Sequence, residues 1–245
     1  MTVEVKKAAD LKVGENYLLK ALVYGRSGTG KTRSLRTAPK LIGIVDVDKG
    51  MLTNRGIAGI EYIEIEYDSD KPRPEAWDNI KEGVKLFAQW ADIKTIALDS
   101  VTTVSDACLK KVLMINKHQS QQATLPDYML QIKWLEDLFT TAIGSGKNLI
   151  LTAHEEFEKN EFSGQLWCLP MIVGKLASKL PIWFDEVYHT QVTKDAKLGD
   201  FKYEWLTRSD VMYSCKSRLA ADQKVEAVVS QDFIEYGKKC GVELK

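Results

Sequence analysis

Leu18-Leu19-Lys20-Ala21-Leu22-Val23-Tyr24 runs straight into Gly25-Arg26-Ser27-Gly28-Thr29-Gly30-Lys31-Thr32, and this junction decides the fold. The first stretch is mostly apolar and reads as a strand ending where the glycines begin. The second fits the pattern Gly, four free positions, Gly, Lys, then Ser or Thr. In such a loop the glycines let backbone N–H groups turn inward around phosphate oxygens, the lysine supplies a point charge for the β and γ phosphates, and the hydroxyl can ligate Mg²⁺. Lys31 to Thr37 holds no helix breaker before Pro39, so the loop can open a helix. The segment Gly25, Arg26, Ser27, Gly28, Thr29, Gly30, Lys31 and Thr32 is therefore expected to hold a nucleoside triphosphate. An ordinary glycine-rich turn is the competing reading. Gly144-Ser145-Gly146-Lys147 fits that plainer account, since it lacks both the strand before and the helix after, and reads as a helix terminator.

Beyond the loop, strand-like and helix-like segments alternate. Leu41 to Val47 is short, apolar and rich in β-branched residues, which suits a buried central strand, whereas Ile60 to Tyr67 alternates apolar and acidic residues except at the Tyr62-Ile63 step and suits a half-exposed one. A breaker cluster from Asp68 to Pro74 precedes Ala76, Ile80, Val84, Phe87 and Ala91, spaced as one buried helical stripe. Ile93 to Asp99 reads as another strand. Val101, Val104, Cys108, Val112 and Ile115 keep helical spacing, and so do Tyr128, Ile132, Leu135, Phe139 and Ala142 in a second helix after Pro126. A strand from Asn148 to Ala153 stops at His154. Further on, Glu155 to Pro170 reads as polar and turn-rich, and Ile172 to Leu180 as a short helix. Asp185 to Val192, Tyr203 to Leu206 and Val211 to Cys215 read as three strands that extend the sheet antiparallel. The expected class is α/β, with a mostly parallel central sheet flanked by helices and antiparallel strands added at the C-terminal end. No linker-like stretch divides residues 1–245, so a single domain is expected, with its core at about residues 18–220.

Composition narrows the function. Lysine plus arginine balance aspartate plus glutamate at 34 each, so no global basic field announces a nucleic-acid binder. Cys108, Cys168, Cys215 and Cys240 are far apart and, with His118, His154 and His189, form no metal-ligand spacing along the chain. They read as free thiols of a reducing cytosol. Met1 to Lys7 has no apolar core for a signal peptide, and no run reaches membrane-spanning length. A soluble cytoplasmic protein with no membrane partner is expected.

Carboxylates at strand ends supply the remaining chemistry. Asp99, followed by Ser100, is placed to help hold Mg²⁺ beside Thr32; its competing reading is a cap for the helix starting near Val101. Asp46 and Asp48 end the strand after the phosphate loop, where Asp48-Lys49-Gly50 is also ordinary turn chemistry. His154, at the end of its own strand, can donate to a phosphate oxygen or simply sit at the surface.

The order of phosphate loop, acidic strand end, Asp-Ser strand end and a strand ending in a polar residue resembles RecA and RadA recombinases. Within them it looks like the compact RecA-like ATPases of bacteriophages, an AAA-type nucleotide-binding class acting in recombination or single-strand annealing. The resemblance spans about residues 18 to 220, with the phosphate loop as its one sharp motif. It implies a RecA-like P-loop fold, ATP and Mg²⁺ as cofactors, and ATP hydrolysis that is slow or DNA-stimulated. It also implies a homo-oligomer with the ATP site between subunits, in the host cell if the chain is phage-encoded. By the same resemblance Lys31 is catalytic and Asp48 takes the water-activating position, as Asp where the family usually has Glu, with Asp46 as fallback. His154 stands where the family usually has a Gln that senses the γ-phosphate. Lys216 and Arg218 match, by position, cations that reach a neighbouring subunit's nucleotide; a solvated basic strand end is their plainer reading. Single-stranded DNA would meet Lys117 to Gln122 and the stretch after His154, with Phe157, Lys159, Phe162, Trp167, Lys175 and Lys179; simple surface loops are the competing reading of both, and the one composition alone favours. A small-molecule or nucleotide kinase using the same loop, or a non-hydrolysing nucleotide-gated assembly module, are the alternative functions.

Overall fold

The apolar run ahead of the phosphate loop forms β1 (Lys20–Tyr24), buried from Ala21 onward. A computed structural model of the chain describes residues 17–68, 75–159, 161, 164–194, 199–220 and 225–244. The breaker positions 69–74, Phe162 and the first residues of the chain lie outside them. After β1 come α1 (Lys31–Ser34), β2 (Ile42–Asp46), β3 (Ile60–Glu64), α2 (Glu75–Gln89), β4 (Thr95–Asp99) and α3 (Val101–Ile115). Then follow α4 (Leu125–Ile143), β5 (Asn148–Ala153), β6 (Glu155–Lys159), β7 (Leu166–Pro170) and α5 (Leu176–Trp183). The chain closes with β8 (Glu186–Lys194), β9 (Phe201–Leu206), β10 (Lys216–Ser217), β11 (Val228–Ser230) and α6 (Phe233–Lys239).

Among the described residues the main sheet has nine strands, in the order β11-β9-β8-β1-β5-β4-β2-β3 with β10 added against β8. From β3 to β8 every neighbouring pair is parallel. β9, β10 and β11 join antiparallel. The α/β expectation and the antiparallel C-terminal addition both describe what is seen. Side chains of each central strand alternate between two cores. In β1, Leu22 and Tyr24 pack with α2 to α5, while Ala21 and Val23 pack with Leu35, Trp205, Phe233 and Tyr236. Burial on both faces explains why β1, β2, β4 and β5 read as near-continuous apolar runs, and the partial exposure of edge strand β3 explains its alternation.

Several elements differ from expectation, each for a local reason. α1 is a single turn followed by a tighter one at Leu35–Thr37. Ser34 Oγ donates to the Lys31 carbonyl at 2.7 Å and Thr37 Oγ1 to the Ser34 carbonyl at 2.7 Å, in competition with helical bonding, and Pro39 follows. α4 starts before Pro126, at Leu125, because Thr124 and Asp127 form a capping box around a proline that the first turn tolerates. Within 155–170, Glu155–Lys159 and Leu166–Pro170 pair as two antiparallel strands in place of the expected turn-rich loop. The pair stands apart from the main sheet, and the largely exposed Glu155–Lys159 strand needs no apolar run to form. α5 begins at Leu176 and returns the chain to the start of β8, which is why β8 pairs parallel to β1 instead of antiparallel. Val211 to Cys215 is not a strand. Asp210 Oδ1 accepts the backbone N–H of Met212 and of Tyr213, each at 2.7 Å, so among the described residues strand pairing is reduced to an isolated bridge between Tyr213 and Cys168. β11 and α6 extend the fold beyond the expected core limit of 220. No described helix is long and apolar enough to cross a membrane.

Candidate functional site

The parallel register brings the functional positions to one edge of the sheet. Asp46 lies opposite Asp99, and Tyr24 opposite Ala153 and His189, so Gly25, Asp48, Ser100 and His154 all follow the carboxyl ends of adjacent strands. In open α/β sheets ligands gather at this edge. A cavity of about 390 Å³ opens there, lined among others by Gly28, Lys31, Thr32, Asp48, Asp99 and His154.

Within the loop, Gly28 and Gly30 take left-handed backbone angles, φ 80° and 93°, that side chains rarely adopt. A Cβ on Gly30 would also run into Gln231 and the Tyr203 ring. Thr29 is held from the far side, its Oγ1 2.6 Å from Thr190 Oγ1 and its carbonyl accepting Gln231 Nε2 at 2.8 Å. Lys31 Nζ folds back on the loop and donates to the carbonyls of Gly25 at 2.9 Å and Arg26 at 2.8 Å. Burial lowers its pKa, against the pull of Asp99, Asp48 and Glu155. Arg26 turns away from the cavity lining, and its Nε donates to Glu155 Oε1 at 3.0 Å.

Asp99 is the last residue of β4, and Ser100, not Asp99, occupies the cap position of α3. Thr32 Oγ1 donates to Asp99 Oδ2 at 2.6 Å, and Thr152 donates to the other carboxylate oxygen. Burial pushes the Asp99 carboxyl up to about 6, with the two threonine bonds opposing and the Asp48 and Asp46 charges adding. The hydroxyl and carboxylate oxygens are hard donors that suit Mg²⁺. Facing them is Gly50, where a Cβ would stand 3.2 Å from Thr32 Oγ1 and 3.6 Å from Asp99 Oδ2, so bare backbone leaves room beside the pair.

The two aspartates after β2 do different things. Asp46 is fully buried and accepts the backbone N–H of Gly50 at 3.0 Å and Met51 at 3.2 Å, binding the turn together. Burial raises its pKa and these amides oppose the rise. Asp48 points into the cavity, with Oδ1 bonded to Thr103 and Oδ2 3.2 Å from His154 Nε2. Burial would raise Asp48, but the bonds from His154, Thr103 and Ser100 outweigh it and hold the carboxyl below the usual range. Asp48 and His154 thus meet each other, and both line the wall beside Lys31. Lys216 and Arg218 are at the other end of β8, where β10 pairs with Val187 and Glu186 and Arg218 pairs with Asp185. The 117–122 link is tied down by Asp127, which accepts from Asn116 Nδ2 at 2.6 Å and from His118.

The AAA domain family matches residues 18–221. The chain belongs to this family. It is a P-loop ATPase domain whose matched span takes in the loop, Asp48, Asp99 and His154. The match ends before Gln231, which supports the loop from β11's end. No curated protein matches this AAA domain chain. A similar solved structure is a prototypical ATPase from the type III secretion system of pathogenic bacteria, at 13% identity and a TM-score of 0.44. The alignment covers 71% of this chain and 52% of that one, so the AAA domain spans about half its length.

Sequence reading missed Thr103, Thr152, Thr190 and Gln231. Thr152 carried a usable signal, a hydroxyl inside the apolar run Leu149 to Ala153. Gln231 carried none, since its contact with Thr29 joins residues 202 positions apart.

Proposed function

We propose that the protein binds ATP with Mg²⁺ and hydrolyses it, as a RecA-like phage ATPase that works on single-stranded DNA. We further propose that it is a single-domain cytoplasmic protein whose homo-oligomer completes each site. One observation carries the reading: a single cavity joins the Lys31 ammonium, the Thr32–Asp99 pair and the Asp48–His154 pair. Lys31, now on two loop carbonyls, exchanges them for β and γ phosphate oxygens, and the inward amides of the loop complete the cradle. Thr32 and Asp99 would hold Mg²⁺, which when bound neutralises charge on the phosphate oxygens. Asp48, held ionised, accepts a hydrogen bond from the attacking water and orients it, while His154 Nε2 donates to Asp48 and keeps it in place on the wall beside Lys31. The proton released by that water leaves with the phosphate product.

His154 is followed at once by the β6–β7 hairpin, which exposes Phe157, Lys159 and Trp167. Stacking rings beside a cation suit the bases and backbone of a single strand. Lys216 and Arg218, remote from their own chain's cavity, serve the cavity of a neighbouring subunit. The test is steady-state phosphate release by the purified protein with and without single-stranded DNA, repeated on Lys31→Ala. Turnover that DNA stimulates and Lys31→Ala abolishes is expected. Turnover indifferent to DNA removes the DNA assignment, and turnover unaffected by Lys31→Ala removes the nucleotide site.

A further inference from the structure

Beside the nucleotide cavity the fold assembles a second group of reactive side chains. Glu155 opens β6, Cys168 lies within β7 and His189 within β8. One ligand atom from each falls within 4.8 Å of the others. Cys168 Sγ is 3.5 Å from Glu155 Oε2, and His189 Nε2 is 2.7 Å from the same oxygen. Cys168 is fully buried, and the side chains of Glu155 and His189 are each 7% exposed. We propose that these three residues bind one zinc ion, which pins the β6–β7 hairpin to the main sheet next to the phosphate loop.

The donor set is the first argument. Thiolate, imidazole and carboxylate together suit a borderline-soft ion such as Zn²⁺ and not Mg²⁺, which prefers oxygens only. Geometry is the second. With Zn–S near ~2.3 Å and Zn–O near ~2.0 Å, a tetrahedral centre sets sulfur and oxygen about 3.5 Å apart, the spacing that Cys168 and Glu155 already have. The His189 to Glu155 edge is a hydrogen bond, and an ion entering there opens it by roughly half an ångström.

Support around the three residues is the third. Arg26 Nε holds Glu155 Oε1, which leaves Oε2 toward the other two ligands. Tyr213 stacks on the His189 ring at 4.0 Å between centroids, and Tyr24 meets it edge-on at 5.2 Å. His189 Nδ1 is buried without a hydrogen-bond partner. Moving the ring proton from Nε2 to Nδ1 frees Nε2 to ligate, at the cost of a buried N–H without an acceptor among the described residues. On binding, Cys168 loses its thiol proton to solvent and the His189 proton stays on the ring, so one proton is released per ion. Three protein ligands leave a fourth position for water.

The test uses purified full-length protein stripped by a chelator, then loaded with zinc or cobalt. Wild-type protein is expected to retain one zinc per chain through gel filtration, and the cobalt form to show a thiolate-to-cobalt charge-transfer band with tetrahedral visible bands. Cys168→Ser and His189→Gln should each weaken uptake by roughly 10–100-fold or more, while Asp99→Asn, which alters the oxygen-donor pair of the cavity, should leave it unchanged. Zinc should raise the melting temperature of wild type and not of the two ligand variants. A wild-type cobalt spectrum without a thiolate band overturns the proposal without recourse to any variant. Uptake by Cys168→Ser equal to wild type overturns it as well, leaving Glu155 as a hydrogen-bond acceptor for its three neighbours.

Discussion

On the β4 side of the phosphate loop, the groups at the strand ends bond to one another and face the cavity. Thr32 and Thr152 hold Asp99, while Thr103 and His154 hold Asp48. On the β8 side, the groups that meet the loop hold it from behind, with Thr190 and Gln231 on Thr29 and Glu155 on Arg26. The first set gathers hydroxyl and carboxylate oxygens at the cavity wall, where they suit a hard cation; the second holds the loop backbone from behind. Electrostatic catalysis needs both, because donors help only when their orientation is settled before the reaction.

The largest effect is expected at Lys31. Lys31→Ala should reduce phosphate release by about 100-fold or more, roughly 3 kcal/mol in the transition state. Its melting temperature should hold or rise, because burying that ammonium already works against folding. A loss of the same size from Gln231→Ala would erase the distinction between the two flanks.

Asp99 allows a test without ligand. Its carboxyl titrates near 6 in the folded protein, above the ordinary 3.8. Between those values the folded chain keeps a proton that the unfolded chain has lost, so stability falls as pH rises from about 4 to about 6 and levels off beyond. The fall attributable to this group is at most about 3 kcal/mol. Ligand-free melts of wild type and Asp99→Asn across that range should differ by this slope; parallel curves would assign it elsewhere.

Asp46 and Asp48 separate the two kinds of work within one flank. Asp48→Asn should lower kcat by roughly 10–100-fold with KM nearly constant. Asp46→Asn should mainly cost stability, about 1–2 kcal/mol, through the weakened Gly50 and Met51 bonds. Kinetics and denaturant melts on the pair would exchange the roles if the two results came out reversed. The smallest effect is expected behind the loop: Gln231→Ala should raise KM for ATP a few-fold and cost about 1 kcal/mol of stability, with kcat held. A kcat loss as deep as that of Asp48→Asn would place Gln231 in the chemistry itself.

Much of the parallel half was legible because β1, β2, β4 and β5 are buried on both faces and its long helices each show one apolar stripe. Leu41 to Val47 and Ile93 to Asp99 announce themselves in this way. The hairpin was not legible, since Glu155 to Lys159 is a mostly exposed strand with no burial pattern to leave. Nor was the irregular stretch Val211 to Cys215, where the Asp210 carboxylate captures amides that its apolar residues would otherwise offer to a strand.

By itself, the sequence determined the phosphate loop, the α/β rhythm and the carboxylates at strand ends, because these are local: backbone freedom at glycines, periodic burial, and charge where an apolar run stops. Only the tertiary structure decided that Asp48 meets His154, that Gln231 braces Thr29, and that Glu155, Cys168 and His189 converge. Those contacts join residues from 13 to 202 positions apart, and strand order and register, which no local propensity specifies, set which distant side chains become neighbours.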